Sequence, residues 1–571
     1  MKKLIYTVLF TLITLTSCSK PEEGDLTILF TTDVHGMVLP FNFLKNAPAE
    51  VSQANVFAYV DQLRQQGEEV IMLDAGDMAE GQPSTYYYNN VANREEHIVG
   101  RTANFIGYDA LVVGENDIQF GEKIYKDRMP GWFNAPLICA NAIDIRTDKP
   151  MFTPYAILKR GGFKVAVLGL ITPNVREWLT PIAYQHLRFE ELEASANKWI
   201  AKIQETEKPD LIIGLFHISA ANIESVIGKL SGLDMVLCGQ DHTGFCDYVK
   251  DATGKDIPLL QPLTRCEEVG KAKVHLKQNS DGTYDKKVSI ERVSMRNVKP
   301  SEAYTSTFEG EIERINRYLD EPLATFTYDL IPEDGLVGPS AIVNFIHEMQ
   351  LWISGAEVSL TNFLASFDEV PAGEFTMRNL FNVYKFENQI WTLRMTGDEI
   401  HKFLEHAYGL QYDTMKSQND NLIAYKRDAD GNIIMSDFGP ELKTVQYNYS
   451  CAAGINYTVD VSKPAGERIT ITKMSNGEPF EPEKIYRVTM NDHLAIGGGG
   501  HTTEGVQWND SIVLSRIIAT SANDIRMNFS NYIRNRKRLE SSSRDDWKVI
   551  PTPWFDVAAP HEKEFLGKYL K

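Results

Sequence analysis

Five short apolar runs in this chain each lead straight into residues able to hold a metal ion. Residues 26–30 precede Asp33 and His35, 70–73 precede Asp77, and 110–113 precede Gly114, Glu115, Asn116 and Asp117; 211–213 precede His217, and 235–238 precede Gly239, Gln240, Asp241 and His242. The runs are rich in β-branched residues and nearly unbroken, the pattern of strands buried on both faces. A sixth run, 165–168, ends without a ligand-type residue and reads as framework. Side chains just past the carboxyl ends of neighbouring strands converge at one edge of an open sheet, where α/β folds bind ligands. A single His or Asp in such a place would read as a loop or capping residue. Five in series, each after a strand, read as a site.

At 571 residues the chain is too long for one core, so two domains are expected. A formal net charge of −19 argues against nucleic acid as a surface-bound partner. An acidic protein that handles anions must build a local positive site, and bound metals do that. At the start, Lys2 and Lys3 precede an apolar stretch from residue 4 to 15, too short for a membrane-spanning helix but suited to a signal peptide over residues 1–17. Leu15-Thr-Ser-Cys18 resembles a bacterial lipoprotein box, which would make Cys18 the lipidated first residue, with 18–24 as a tether. The alternative is a plain signal peptide in which Cys18 is incidental. The expectation is an exported lipoprotein anchored to the outer membrane and facing the periplasm or the cell surface, and a monomer. The other cysteines, Cys139, Cys238, Cys246, Cys266 and Cys451, are odd in number and lack metal-type spacing, so no disulfide framework is indicated; Cys238 and Cys246 could form at most one bridge.

Along the chain, the ligand-bearing region spans 25–298, closing with strand-like runs at 274–276 and 288–290. Phe308, Ile312, Ile315 and Leu319 then repeat at helical spacing between charged residues, predicting an amphipathic linker helix within 299–321. A second unit follows over 322–540, with 541–571 as a carboxyl-terminal extension. No internal repeat is evident.

The series Asp33-x-His35, Gly76-Asp77, Gly114-Glu-Asn-Asp117, His217 and Gly239-Gln-Asp-His242 resembles the two-metal calcineurin-like phosphoesterases. The segments Val358-Ser-Leu-Thr-Asn362, Tyr384-Lys-Phe-Glu-Asn388, Ala453-Gly-Ile-Asn-Tyr-Thr-Val-Asp460 and Leu494-Ala-Ile-Gly-Gly-Gly-Gly500 resemble the carboxyl-terminal domain of bacterial 5′-nucleotidases. Both halves in this order are similar to the 5′-nucleotidase and 2′,3′-cyclic phosphodiesterase family. The resemblance implies an α/β fold: a two-sheet α/β sandwich metallophosphoesterase domain joined by a helix to an α/β (α+β) substrate-binding domain.

It also implies two divalent metal ions, Mn, Mg or Zn. The first would take Asp33, His35 and His242, with Asp77 bridging; the second would take Asp77, His217, and the positions of Glu115 and Gln240, where the family has Asn and His. Those two exchanges give the second site mostly oxygen donors, which suits Mn²⁺ or Mg²⁺ better than Zn²⁺ and predicts a weaker site. The extra carboxylate also lowers the net charge facing a phosphate. The family's catalytic His and the acid that holds it correspond here to Asn116 and Gln119, neither able to deliver a proton. A one-residue shift would instead make Asn116 the metal ligand, and the His is missing in either register. Loss of a general acid costs about 10²- to 10⁴-fold.

In the second unit the family offers Asn-Gly-Gly-x-Arg for phosphate and two aromatics for a base. Asn362-Phe-Leu-Ala-Ser366 lacks the Arg; Tyr449 and His501 take the aromatic places, and a core Tyr and a surface His are the competing readings. Arg378 and Arg394 are spare cations without an assigned place. The expected function is hydrolysis of nucleotides or another small phosphate ester. Two alternatives stand beside it: a nucleotide- or metal-binding relative that has lost turnover, and a phosphodiesterase acting on sugar or polymer phosphodiesters.

Overall fold

The computed structural model describes residues 20–175, 178–363, 369–436, 439–541 and 544–569. Cys18 and the apolar leader lie outside the described residues. No described helix is long and apolar enough to cross a membrane.

Two six-stranded mixed sheets face one another in the first half. The first contains β1 (Glu23–Thr31), β2 (Val70–Asp74), β3 (Ala110–Val112) and β4 (Leu137–Ile138), parallel and in that order. The second contains β5 (Tyr155–Arg160), β6 (Phe163–Ile171), β7 (Leu211–His217), β8 (Met235–Cys238), β9 (Phe245–Lys250) and β10 (Asp256–Gln261), ordered β9-β10-β8-β7-β6-β5. Two long antiparallel strands, β11 (Glu268–Gln278) and β12 (Tyr284–Ser294), extend the first sheet beyond β1. Alternation places Leu26, Ile28 and Phe30 of β1 against Leu211, Ile213 and Leu215 of β7 in a dry layer between the sheets. The opposite faces are covered by helices. Leu29, Val70 and Met72 meet Val56, Val60 and Leu63 of α1 (Gln53–Gln65), while Ala166, Leu168 and Ile212 meet α2 (Leu192–Thr206) and α3 (Ala220–Ile227). Every ligand-bearing run is therefore buried on both sides, as its composition requires.

The expected linker is α4 (Glu302–Leu319), capped by Ser301, whose Oγ accepts from Tyr304 N. Its apolar face packs inward, and Tyr304 Oη donates to Val38 O at 2.6 Å. At its far end Asn316 and Asp320 receive the guanidinium of Arg378, so that cation is committed to holding elements together.

The second half is built on a five-stranded sheet in which β13 (Val358–Asn362) runs parallel to β18 (Ile485–Asn491), with β14 (Ile390–Thr396), β15 (Ser450–Ala453) and β19 (Ile517–Thr520) completing it in the order β15-β13-β18-β14-β19. Beside it, β16 (Ile455–Asp460) pairs with β17 (Ile469–Met474). Residues 544–569, within the expected carboxyl-terminal extension, pack against the second half. Within them β20 (Trp547–Ile550) pairs parallel to β16, Trp547 stacks on Tyr457 at 5.7 Å, and buried Glu562 accepts from Leu422 N, Asn421 and Tyr425. The described part of the expected tether is tied down too. Pro21 O accepts from Tyr284 Oη, and Gln278 N donates to Glu22 O. All five described cysteines are free, Cys238 buried and Cys246 exposed.

Candidate metal centre and its cleft

The ligand-type residues gather at one common end of two facing sheets, rather than at the edge of a single one. Asp33, Asp77 and Glu115 come from turns after β1, β2 and β3; His217 is the last residue of β7, and Gln240 and His242 follow β8. The turns are tight. Asp33, His35, Asp77, Gln240 and His242 all have positive φ, a costly conformation for non-glycine residues that clusters where a site is over-determined. Two glycines are required by close approach: a Cβ on Gly114 would lie 2.0 Å from Asp77 Oδ1, and one on Gly239 would lie 1.7 Å from Thr32 Oγ1. Asp117 ties the turns together, accepting from Asp77 N, Gly114 N and Ala79 N. Burial and the nearby Asp77 carboxylate push its carboxyl up to about 6.

Two groups of donors converge. Asp33, His35 and His242 form one; Asp33, Asp77 and His217 form the other. Asp33 belongs to both groups, and Asp77, the expected bridge, lies beside it in the second. His35 Nε2 and His242 Nε2 face each other at 2.9 Å, while His35 Nδ1 meets Glu80 at 2.5 Å. Burial alone would lower His35, but the Glu80 carboxylate prevails and raises it to about 9. Burial would raise Asp33; the surrounding imidazoles, His242 first, hold it below the usual range. His217 Nδ1 donates to Ala75 O at 2.7 Å, which leaves Nε2 aimed inward, 2.8 Å from Glu115 Oε2. The buried atoms Asp33 Oδ1, Glu115 Oε2 and His217 Nε2 meet only other members of this cluster among the described residues, His217 Nε2 also lying 3.4 Å from Asp77 Oδ2. Carboxylates crowded together at this depth are costly unless cationic charge lies among them. The donor set therefore fits divalent metal ions, with Glu80 and Ala75 O fixing the imidazole orientations as supporting groups do in metal sites.

Three expected site residues take other places. Gln240 directs Oε1 to Ser219 N at 3.2 Å and its amide nitrogen towards Glu115. Asn116 donates twice to Asp77, through N at 2.9 Å and Nδ2 at 2.6 Å. Gln119 reaches a cleft of about 490 Å³ between the two halves, its buried Nε2 unpartnered. That cleft is lined by amides and acids, among them Asn89, Asn388, Glu387 and Asp492, with half-exposed Trp178 at its wall. Burial drives the Glu387 carboxyl up to about 8 and that of Asp492 up to about 6.

The expected base-stacking pair is not exposed to this cleft. Tyr449 is 3% exposed and His501 is 0% exposed. His501 is held by Asn448 O, Ser450 and His406, and burial lowers it to about 3, so both rings are core residues. Asn362 is equally committed, donating to Tyr447 O and accepting from Asn491. The reason is packing: Asn362 ends the interior strand β13, Tyr449 directly precedes β15, and His501 opens a helical turn packed against Phe403 and His406. Sequence reasoning missed Glu80, which carries no motif, and the role of Asp117, which lay inside a quoted motif.

Residues 327–505 match the family model of the 5′-nucleotidase C-terminal domain. The chain is 22% identical over 603 residues to a trifunctional nucleotide phosphoesterase of Bacillus subtilis, covering 93% of this chain but 39% of that protein. It is also 22% identical over 578 residues to a 2′,3′-cyclic-nucleotide 2′-phosphodiesterase/3′-nucleotidase of Yersinia enterocolitica, covering 87% of this chain and 84% of the relative. Among solved structures, a Staphylococcus aureus protein assigned as a 5′-nucleotidase and crystallised with α-ketoglutarate shares the fold, with a TM-score of 0.72 at 20% identity, over 92% of this chain and all of that one.

Proposed function

We propose, from the match of residues 327–505 to the 5′-nucleotidase C-terminal domain and the similarity to nucleotide phosphoesterases over most of its length, that the chain is a metal-dependent phosphoesterase of the 5′-nucleotidase family hydrolysing a nucleotide or a related small phosphate ester. The observation that carries the reading is the convergence of the buried Asp33, Asp77, Glu115 and His217 side chains beside the facing imidazoles of His35 and His242. Two divalent ions held there would neutralise phosphoryl oxygens and lower the pKa of a bound water. The first site takes Asp33, His35 and His242. The second takes Asp77, Glu115 and His217, and its oxygen-rich set favours Mn²⁺ or Mg²⁺. Asn116 orients Asp77 and can donate a hydrogen bond to a departing oxygen, but cannot protonate it. The domain bounds, the lipid anchor at Cys18, export to the outer membrane and the monomeric state remain part of the same proposal.

A second reading, a phosphodiesterase, draws support from the missing cation in 362–366 and from the extra carboxylate of Glu115, both of which disfavour a dianionic monoester. Purified protein assayed with Mn²⁺, Mg²⁺ and Zn²⁺ against AMP, 2′,3′-cyclic AMP, p-nitrophenyl phosphate and bis-p-nitrophenyl phosphate separates the readings. Hydrolysis that requires added metal is expected. No turnover with any metal, although elemental analysis finds both sites filled, would leave a binding protein in place of an enzyme.

A further inference from the structure

The cleft between the halves adjoins the donor cluster, although no metal-ligand residue lines it. Gln119 forms part of its wall and donates from N to Glu115 O at 3.1 Å, so the wall begins one helical turn, about 6 Å along the axis, from that residue. Asn89, on the same wall, donates from Nδ2 to Ala79 O at 3.0 Å, two residues past Asp77. At about 490 Å³ the space falls within the size range of small-molecule sites, roughly 300–1,000 Å³.

Seven of the lining residues are Asn or Gln, and no Lys or Arg stands among the described ones, so the wall offers hydrogen bonds without positive charge. A phosphate does not belong there; the uncharged remainder of an ester does. Three of the amides are exposed and uncommitted. Asn93, Gln389 and Asn523 bond to other described residues only through their backbone carbonyls, which accept from Arg128 Nη2, Asp492 N and Ser521 Oγ. Gln119 Nε2 is buried without a partner, a cost that a bound acceptor would remove. Glu387, pushed up to about 8 by burial, faces the same space as a neutral carboxyl at pH 7. Trp178, 45% exposed, adds an open ring face.

We propose that this cleft binds a sugar or polyol ring, the alcohol part of the ester cleaved at the metal centre, with its hydroxyls on the free amides of Asn93, Gln119, Gln389 and Asn523 and its carbon–hydrogen face on Trp178. An amide presents a donor and an acceptor side by side, and a hydroxyl is itself both, so a row of amides suits a row of hydroxyls. The negative face of an aromatic ring suits the weakly positive C–H face of a sugar. A nucleobase would use a ring face and leave most of the amides unpaired, and the rings expected to sandwich one, Tyr449 and His501, are core residues. The subsite rests on the phosphoesterase reading and names the class of its substrate.

The test uses full-length protein loaded with Mn²⁺, hydrolysing p-nitrophenyl phosphate or its bis ester as reporter, with methyl phosphate, ribose 5-phosphate and AMP as competitors. These differ in turn by the sugar and by the base. Ribose 5-phosphate should bind at least about tenfold tighter than methyl phosphate, and AMP no more than about threefold tighter than ribose 5-phosphate. Gln389→Ala, Asn523→Ala and Trp178→Ala should each shrink the ratio between ribose 5-phosphate and methyl phosphate by roughly three- to tenfold. Should one variant fail to fold, the other two carry the test. A larger advantage for AMP would overturn the proposal in favour of a base site. A smaller advantage for ribose 5-phosphate, or a ratio unchanged in the variants, would overturn it and leave the phosphoesterase reading standing. A metal-filled protein that hydrolyses neither reporter would overturn both.

Discussion

Asn116 commits both its backbone and its side-chain donors to Asp77. Its replacement by His would therefore do two things: supply a proton and release one Asp77 oxygen. For the double change Asn116→His with Gln119→Glu, the expected gain on AMP is about 10²-fold or more, the usual contribution of a general acid. On p-nitrophenyl phosphate, whose leaving group hardly needs a proton, it should stay below about tenfold by the same reasoning. Equal gains on both esters would show that the effect comes from the freed carboxylate. Residue identity at ordered positions was the most legible part of the site, since Asp33, His35, Asp77, His217 and His242 do meet. Facing was the least legible. Gln240, Tyr449, His501 and Asn362 all sit where the order of motifs would put them, yet local hydrogen bonds or core packing turn them away from a ligand. No pattern in the chain marks which way an interior side chain will point.

At the level of elements, the turn after β3 shows how closely strand and ligand are coupled. A methyl group on Gly114 would collide with the Asp77 carboxylate, whereas one on Gly131 would meet nothing within 4 Å. Gly114→Ala should therefore lose at least half of the bound metal and melt several degrees lower, a cost of about 1–3 kcal/mol from overpacking. Gly131→Ala should match wild type in both respects. Differential scanning calorimetry with elemental analysis decides it, and equal behaviour of the two variants would refute the coupling. The strands themselves were plain from the sequence, because a run apolar on both faces has few other fates. The amphipathic repeat also fixed α4, down to its buried Phe308, Ile315 and Leu319. The packing of residues 544–569 was not legible because a four-residue strand and a helix containing Pro560 carry little periodicity; their partners Tyr457 and Tyr425 are far away in sequence.

Across the whole molecule, the two halves meet through a buried stack. The Arg526 guanidinium lies 4.5 Å from the Tyr86 ring and 4.3 Å from the Phe381 ring, and Tyr86 Oη donates to Asp524. Close by, burial lifts Glu387 from 4.5 to about 8, with Arg526 only partly offsetting it. The native state thus binds a proton that the unfolded chain releases, so stability falls as pH rises from about 4.5 to about 8. Glu387→Gln should remove this group's share of the decline, on the order of 2–4 kcal/mol between pH 4.5 and pH 8, leaving the smaller shares of Asp117, Asp492 and His35. Urea unfolding at the two pH values reads this directly, and parallel losses in variant and wild type would refute it. The stack has one more consequence. With Tyr86, Arg526 and Phe381 in contact, the cleft beside them still has about 490 Å³ of free space. The junction is thus shaped as a porch walled by amides and acids, standing open while the halves touch.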